Sequence, residues 1–154
     1  MANTFTQIYI QVVFAVEGRQ NLIRPIHKDE LCKYITGIIR NRNQKLIAIN
    51  GMADHLHILI GMNPDIALSD LVRDIKANSS IFINEKKWVM GRFHWQAGFG
   101  AFSYSRSHLD NVIRYIQNQE EHHSTNSFKN EYLGLLRKFD IAFDDKYVFD
   151  FIEY

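Results

Sequence analysis

His55 and His57 are separated by one aliphatic residue inside the alternating stretch ADHLHILIG, so on a strand both imidazoles project from the same side, within reach of one cation. Downstream, Leu109, Val112, Ile113 and Ile116 recur at helical intervals. A turn of about 100° per residue then gathers His108, Tyr115, Gln119 and His122 along one flank of that helix. Tyr115 and Gln119, one turn apart, are neighbours there. One ridge would thus deliver a phenol able to attack a phosphate and an amide oxygen able to complete a metal shell. Each piece also has a plainer reading. A His-x-His pair suits a polar exposed strand face, a tyrosine suits the edge of a core stripe, and a glutamine suits solvent.

Patterning supplies the elements that must hold these groups. Phe5 to Ala15 alternates as a strand with Ile8, Ile10, Val12 and Phe14 on one side. Leu31, Tyr34, Ile35, Ile38 and Ile39 form a helical stripe, and strands follow at 45–50 and 54–61, with Gly51 marking the break between them. In the third strand Leu56, Ile58 and Ile60 face one way and the histidines the other. Ser69 is the expected cap of a second helix carrying Leu68, Leu71, Val72, Ile75 and Phe82. The aromatic run 93–103, interrupted by Gly98 and Gly100, reads as a fourth strand with a bulge. A third helix runs from near Ser105 or Ser107 to about His122, and Phe128, Tyr132, Leu135, Leu136 and Phe139 mark a short fourth. This order predicts an α+β fold, a ferredoxin-like antiparallel sheet with helices packed on one face and the Tyr115 helix directly after the fourth strand. The histidines would lie on the open face.

A chain of 154 residues, 46% of them hydrophobic, supports one domain, residues 1–154, with the helix and tail from about 127 packing on the core or on a partner subunit. A single cysteine, Cys32, forms no internal disulfide, and no basic leader or membrane span is legible, so a cytoplasmic protein without a membrane partner is expected. The formal net charge of +1 lacks the footprint of a general duplex DNA binder. Basic residues do cluster locally. Arg73, Lys76, Lys87, Arg92, Arg106 and Arg114 are candidates for phosphate contacts, with Tyr9, Trp95 and Tyr104 as candidate stacking platforms. Trp95 and Phe99 also read as core or interface residues. No GxxxxGK[ST] loop occurs, so no nucleotide partner is expected.

ADHLHILIG, WQAGFGAFSYSRS and NVIRYIQNQEEHH, in this order and spacing, resemble the small single-tyrosine transposases of bacterial insertion sequences, the IS200-like transposases, whose HUH motif is His-hydrophobic-His. The resemblance implies that His55, His57 and Gln119 bind a divalent metal, Mg2+ or Mn2+, and that Tyr115 is the nucleophile. It further implies a homodimer with active sites shared between subunits. Its substrates would be single-stranded DNA hairpin ends, cleaved and rejoined through a 5′-phosphotyrosine. Two other readings stand beside it: a non-catalytic nucleic-acid-binding protein derived from such a transposase, or another HUH nicking endonuclease.

Overall fold

The computed structural model describes residues 3–123 and 127–143. Four strands, β1 (Tyr9–Ala15), β2 (Lys45–Met52), β3 (His55–Gly61) and β4 (Gly100–Tyr104), form one sheet in the order β2-β3-β1-β4, every neighbouring pair antiparallel. The β2–β3 connection is tight, and a Cβ on Gly51 would lie 2.3 Å from the His55 carbonyl oxygen. Only glycine lets the backbones approach this closely.

Helices α1 (Pro25–Asn41) and α2 (Leu68–Lys86) cover one face of the sheet. Their stripes, including Leu31, Ile35 and Ile39 from α1 and Leu71 and Ile75 from α2, are fully buried with Val12, Leu56, Ile58 and Ile60. Proline opens α1, where its missing N–H costs nothing, and Lys87 ends α2 in the left-handed conformation. Ser69 is not the cap of α2. Ala67 holds that position without a side-chain bond.

The fourth strand is shorter than its aromatic run. Residues 93–99 are irregular apart from one bridge, Val16 to Trp95, and Gly98 has a positive φ that breaks the strand. The aromatics pack instead. Trp95 meets Phe14 and Phe93 edge to face at 4.7 and 4.8 Å, and its indole N–H donates to Ser79 Oγ, which removes it as a stacking platform for bases.

The expected third helix is divided. A 3-10 turn (Arg106–His108) leads into α3 (Leu109–Gln117), and after a break at Asn118 the chain resumes as α4 (Gln119–His123). Asn50 of β2 explains the break, because its amide donates to the Ile116 and Gln117 carbonyls at 3.0 and 3.1 Å and satisfies the end of α3. Helix α5 (Phe128–Lys138) follows, its first turn capped by Ser127 Oγ accepting from the Asn130 N–H.

The ferredoxin-like α+β architecture with the tyrosine helix after β4 is therefore present. The histidine face of the sheet, however, is not open. Val112 and Ile116 of α3 pack on Ala48 and Leu59, while Phe128, Leu133 and Leu136 of α5 pack on Val13, Ala15 and Phe102. Those sheet residues are apolar, so the amphipathic helices bury them.

Candidate active site

Strand alternation directs His55 and His57 into this second, covered face, where both are fully buried. Each Nδ1 is held from behind. His55 Nδ1 lies 2.7 Å from Asp54 Oδ1, which fixes the tautomer with its proton on Nδ1 and leaves Nε2 as a donor atom for a metal. His57 Nδ1 lies 2.8 Å from the side-chain amide of Gln11, diagonal to it across the β1–β3 pairing. Gln11 in turn accepts from the Tyr104 hydroxyl at 2.8 Å. Turned over, the same amide would accept the His57 Nδ1 proton and donate to the Tyr104 oxygen.

Both Nε2 atoms converge on Glu131 of α5, whose Oε1 is 2.8 Å from His57 and 3.4 Å from His55. Gln119 Oε1 stands 3.2 Å from His55 Nε2, and its amide nitrogen donates to the Tyr115 carbonyl. The Tyr115 phenol donates to Glu131 Oε2. One carboxylate thus joins the imidazole pair to the phenol. Phe128, one turn before Glu131, stacks on the His55 ring at 3.9 Å.

The donor set fits a divalent cation. Ligand atoms of His55, His57 and Glu131 all lie within 4.8 Å of one another, two imidazoles and a carboxylate in a buried cluster. The electrostatics agree with an ionised carboxylate and a neutral phenol. Burial works to raise the Glu131 pKa, but hydrogen bonds with His55, His57 and Tyr115 and the charge of His57 hold it well below the usual carboxylate range. Burial also disfavours charge on His55, yet Asp54 and Glu131 lift it above the ordinary imidazole value. Burial, reinforced by Glu131, raises Tyr115 well above an ordinary phenol, and burial pushes Tyr104 up to about 12.

The structure brings together all four residues singled out by sequence, His55, His57, Tyr115 and Gln119, within one chain. Sequence reading missed Glu131, Gln11 and Asp54. Glu131 carried a signal, since it sits on the buried stripe of α5, between Phe128 and Leu135, where a carboxylate needs a partner. Gln11 gave a weaker one as a polar residue in β1, where it is fully buried.

The basic candidates are scattered. Arg73, Lys87, Arg92, Arg106 and Arg114 are exposed, and Arg73 pairs with Asp70 at 3.3 Å. Lys76 is engaged structurally, donating to the Gln96 and Gly98 carbonyls at 2.7 and 2.8 Å. The side chains of His122 and His123 and the tail beyond 143 lie outside the described residues. Among the described residues no helix is long and apolar enough to cross a membrane.

The family model for "Transposase IS200 like" matches residues 4–119. Among solved structures, a candidate transposase from Deinococcus radiodurans R1 is 20% identical with a TM-score of 0.62, over 77% of this chain and 95% of its own. A REP-associated tyrosine transposase bound to a REP hairpin is 15% identical, also with a TM-score of 0.62, over 100% of this chain and 98% of its own. These likenesses are of fold. No curated protein matches the sequence.

Proposed function

The chain belongs to the IS200-like transposase family, and from that premise we propose that it cuts and rejoins single-stranded DNA at insertion-sequence ends with Tyr115 as nucleophile. It is an enzyme of the single-tyrosine class, nicking DNA with a metal-assisted tyrosine. The single observation that carries the residue assignment is the Glu131 carboxylate, which accepts from the Tyr115 phenol through one oxygen and faces both histidines with the other.

In the forward step the Tyr115 oxygen forms a bond to phosphorus and the P–O3′ bond breaks. The phenol, oriented by its hydrogen bond to Glu131 Oε2, gives up its proton to water as the bond to phosphorus forms, and the departing O3′ takes a proton from water. The products are a 5′-phosphate on Tyr115 and a free 3′-hydroxyl. Attack by a different 3′-hydroxyl reverses the bonding and reseals the strand, so the cleaved bond's energy is kept. A divalent cation bound by His55, His57 and Glu131, with Gln119 Oε1 adjacent, would neutralise charge developing on the non-bridging phosphate oxygens. Mixed oxygen and imidazole donors and a phosphate substrate favour Mg2+ or Mn2+ for that role.

Hairpin ends as substrates, a cytoplasmic setting, a homodimer that shares its sites, and phosphate contacts by Arg73, Lys76, Lys87, Arg92, Arg106 and Arg114 complete the reading. The relative bound to a REP hairpin supports the first of these. We take residues 1–154 as one catalytic domain. Light scattering of the purified chain tests the dimer, and a mass of about one 18.1 kDa chain would remove it.

The chemistry is tested with single-stranded oligonucleotides carrying the hairpins that flank the coding region, plus Mg2+ or Mn2+, followed by a denaturing gel. Wild type should form a protein–DNA adduct that Tyr115→Phe abolishes while hairpin binding persists. An adduct that survives the substitution would move the nucleophile elsewhere, with Tyr104 the next suspect. Binding without any adduct from wild type would instead mark a non-catalytic descendant.

A further inference from the structure

A cleft of about 450 Å3 separates α3 from α5 and opens directly on Tyr115 and Glu131. It falls within the roughly 300–1,000 Å3 of ordinary small-ligand pockets, and is far too small for a duplex. Its α5 wall holds Glu131 and Leu135 and, spaced a turn apart, Asn130, Gly134 and Lys138, which therefore share one face of the helix. They present an amide, a bare stretch of backbone and a cation in sequence. The Asn130 side-chain amide makes no hydrogen bond among the described residues. The facing wall supplies apolar surface from Val112 and the Tyr104 ring, with Asn111 and His108 at the rim.

Gly134 is the informative residue. Apart from proline, glycine is the poorest helix former, yet it occupies the interior of α5. Packing within the protein does not require it, because a Cβ built there would meet nothing within 4 Å. The bare position keeps open a space that the folded chain itself leaves unfilled, and that space adjoins the nucleophile.

We propose that this cleft is a subsite for one nucleotide of the DNA strand, the nucleotide on the 3′ side of the cut, with its base against Gly134, Val112 and Tyr104 and its edge read by Asn130. The inference rests on Tyr115 being the nucleophile. When its oxygen joins phosphorus, the departing O3′ leaves from the opposite side, while the 3′-side nucleotide stays attached through its 5′ oxygen. The retained nucleotide is therefore the one held beside Tyr115. Asparagine pairs with base edges through both halves of its amide, and Lys138 and His108 are placed for the next phosphate along the strand.

The test uses the hairpin oligonucleotides with the positions on both sides of the cut randomised. Adducts formed in Mn2+ are isolated and sequenced. Wild type should show a base preference at the 3′-side position, and Asn130→Ala should flatten that preference without weakening hairpin binding. Gly134→Leu should cut adduct yield at least tenfold, with Gly134→Ala falling between it and wild type. Thermal unfolding should show both Gly134 variants folded at least as stably as wild type, which separates a filled cleft from a damaged fold. Adducts with random bases at the 3′-side position, or a preference and yield unchanged by Asn130→Ala and Gly134→Leu, would overturn the subsite alone. No adduct from wild type on any strand would overturn the tyrosine chemistry and the subsite with it.

Discussion

At the scale of single residues, the site is an arrangement for keeping two imidazole lone pairs aimed at one point. A histidine binds metal through one nitrogen only if the other is held as a donor, and Asp54 does this for His55 at 2.7 Å. For His57 the same task falls to Gln11 once its amide is turned over, so that Oε1 accepts the Nδ1 proton and the amide nitrogen donates to the Tyr104 oxygen. Gln11→Leu should therefore lower Mn2+ affinity about 10–100-fold, as loss of such supporting groups commonly does. Electron paramagnetic resonance titration of Mn2+ would measure it, and Gln11→Glu, which restores an acceptor, should recover much of the affinity. Glu131→Gln keeps the shape of the side chain and removes its charge. Weaker Mn2+ binding by at least a factor of ten is expected from the same titration, and equal affinity would exclude the carboxylate as a ligand. Outside the site, burial pushes the Cys32 thiol up to about 11. Its proton is held more tightly than in an unfolded chain. Alkylation by iodoacetamide at pH 8 should accordingly be slow and should accelerate as pH climbs towards 11.

At the scale of elements, the functional groups are delivered by β1, β3, α3, α4 and α5 together, so local stability and site geometry are linked. Helix α5 contributes both Glu131 and the Phe128 ring that stacks on His55. Ser127 caps that helix, and Ser127→Ala should cost about 1 kcal/mol in thermal or denaturant unfolding. Because fraying of the first turn loosens Glu131, the same variant should also bind Mn2+ less tightly than wild type. Retained affinity with reduced stability would show that the carboxylate is positioned by packing of Phe128, Leu133 and Leu136 rather than by the cap. The break at Asn118 has a comparable role. By ending α3 against Asn50, it allows Gln119 to leave the line of the tyrosine helix and turn its Oε1 toward His55.

At the scale of the whole molecule, the sheet has two unlike faces. Helices α1 and α2 close one face around an aliphatic interior, whereas the other holds a buried polar cluster walled by apolar residues. Buried groups of opposite charge stabilise a fold only when their partners are complete, so a bound cation should matter to stability as well as to chemistry. Saturating Mn2+ at a hundred times its dissociation constant would add about 2.7 kcal/mol. For a chain of this size that corresponds to a rise in Tm of roughly 5–10 °C. Scanning calorimetry with and without Mn2+ measures the shift, and His57→Ala should abolish it. A rise that persisted in His57→Ala would place the stabilising ion elsewhere.

The sequence by itself determined the strand periodicity, the side of β3 on which the histidines lie, and the helical stripe of Leu109, Val112 and Ile116 that carries Tyr115. These are short-range consequences of side-chain alternation and helical pitch, so they can be read without knowing what packs where. Only the tertiary structure decided that the histidine face is covered, that α3 stops at Asn118, and that Glu131 closes on the site from α5. Each of those depends on contacts between residues distant in the chain: Asn50 with Ile116, His57 with Glu131, Gln11 with His57. No local pattern encodes such a pairing, because it is set by how two amphipathic surfaces dock.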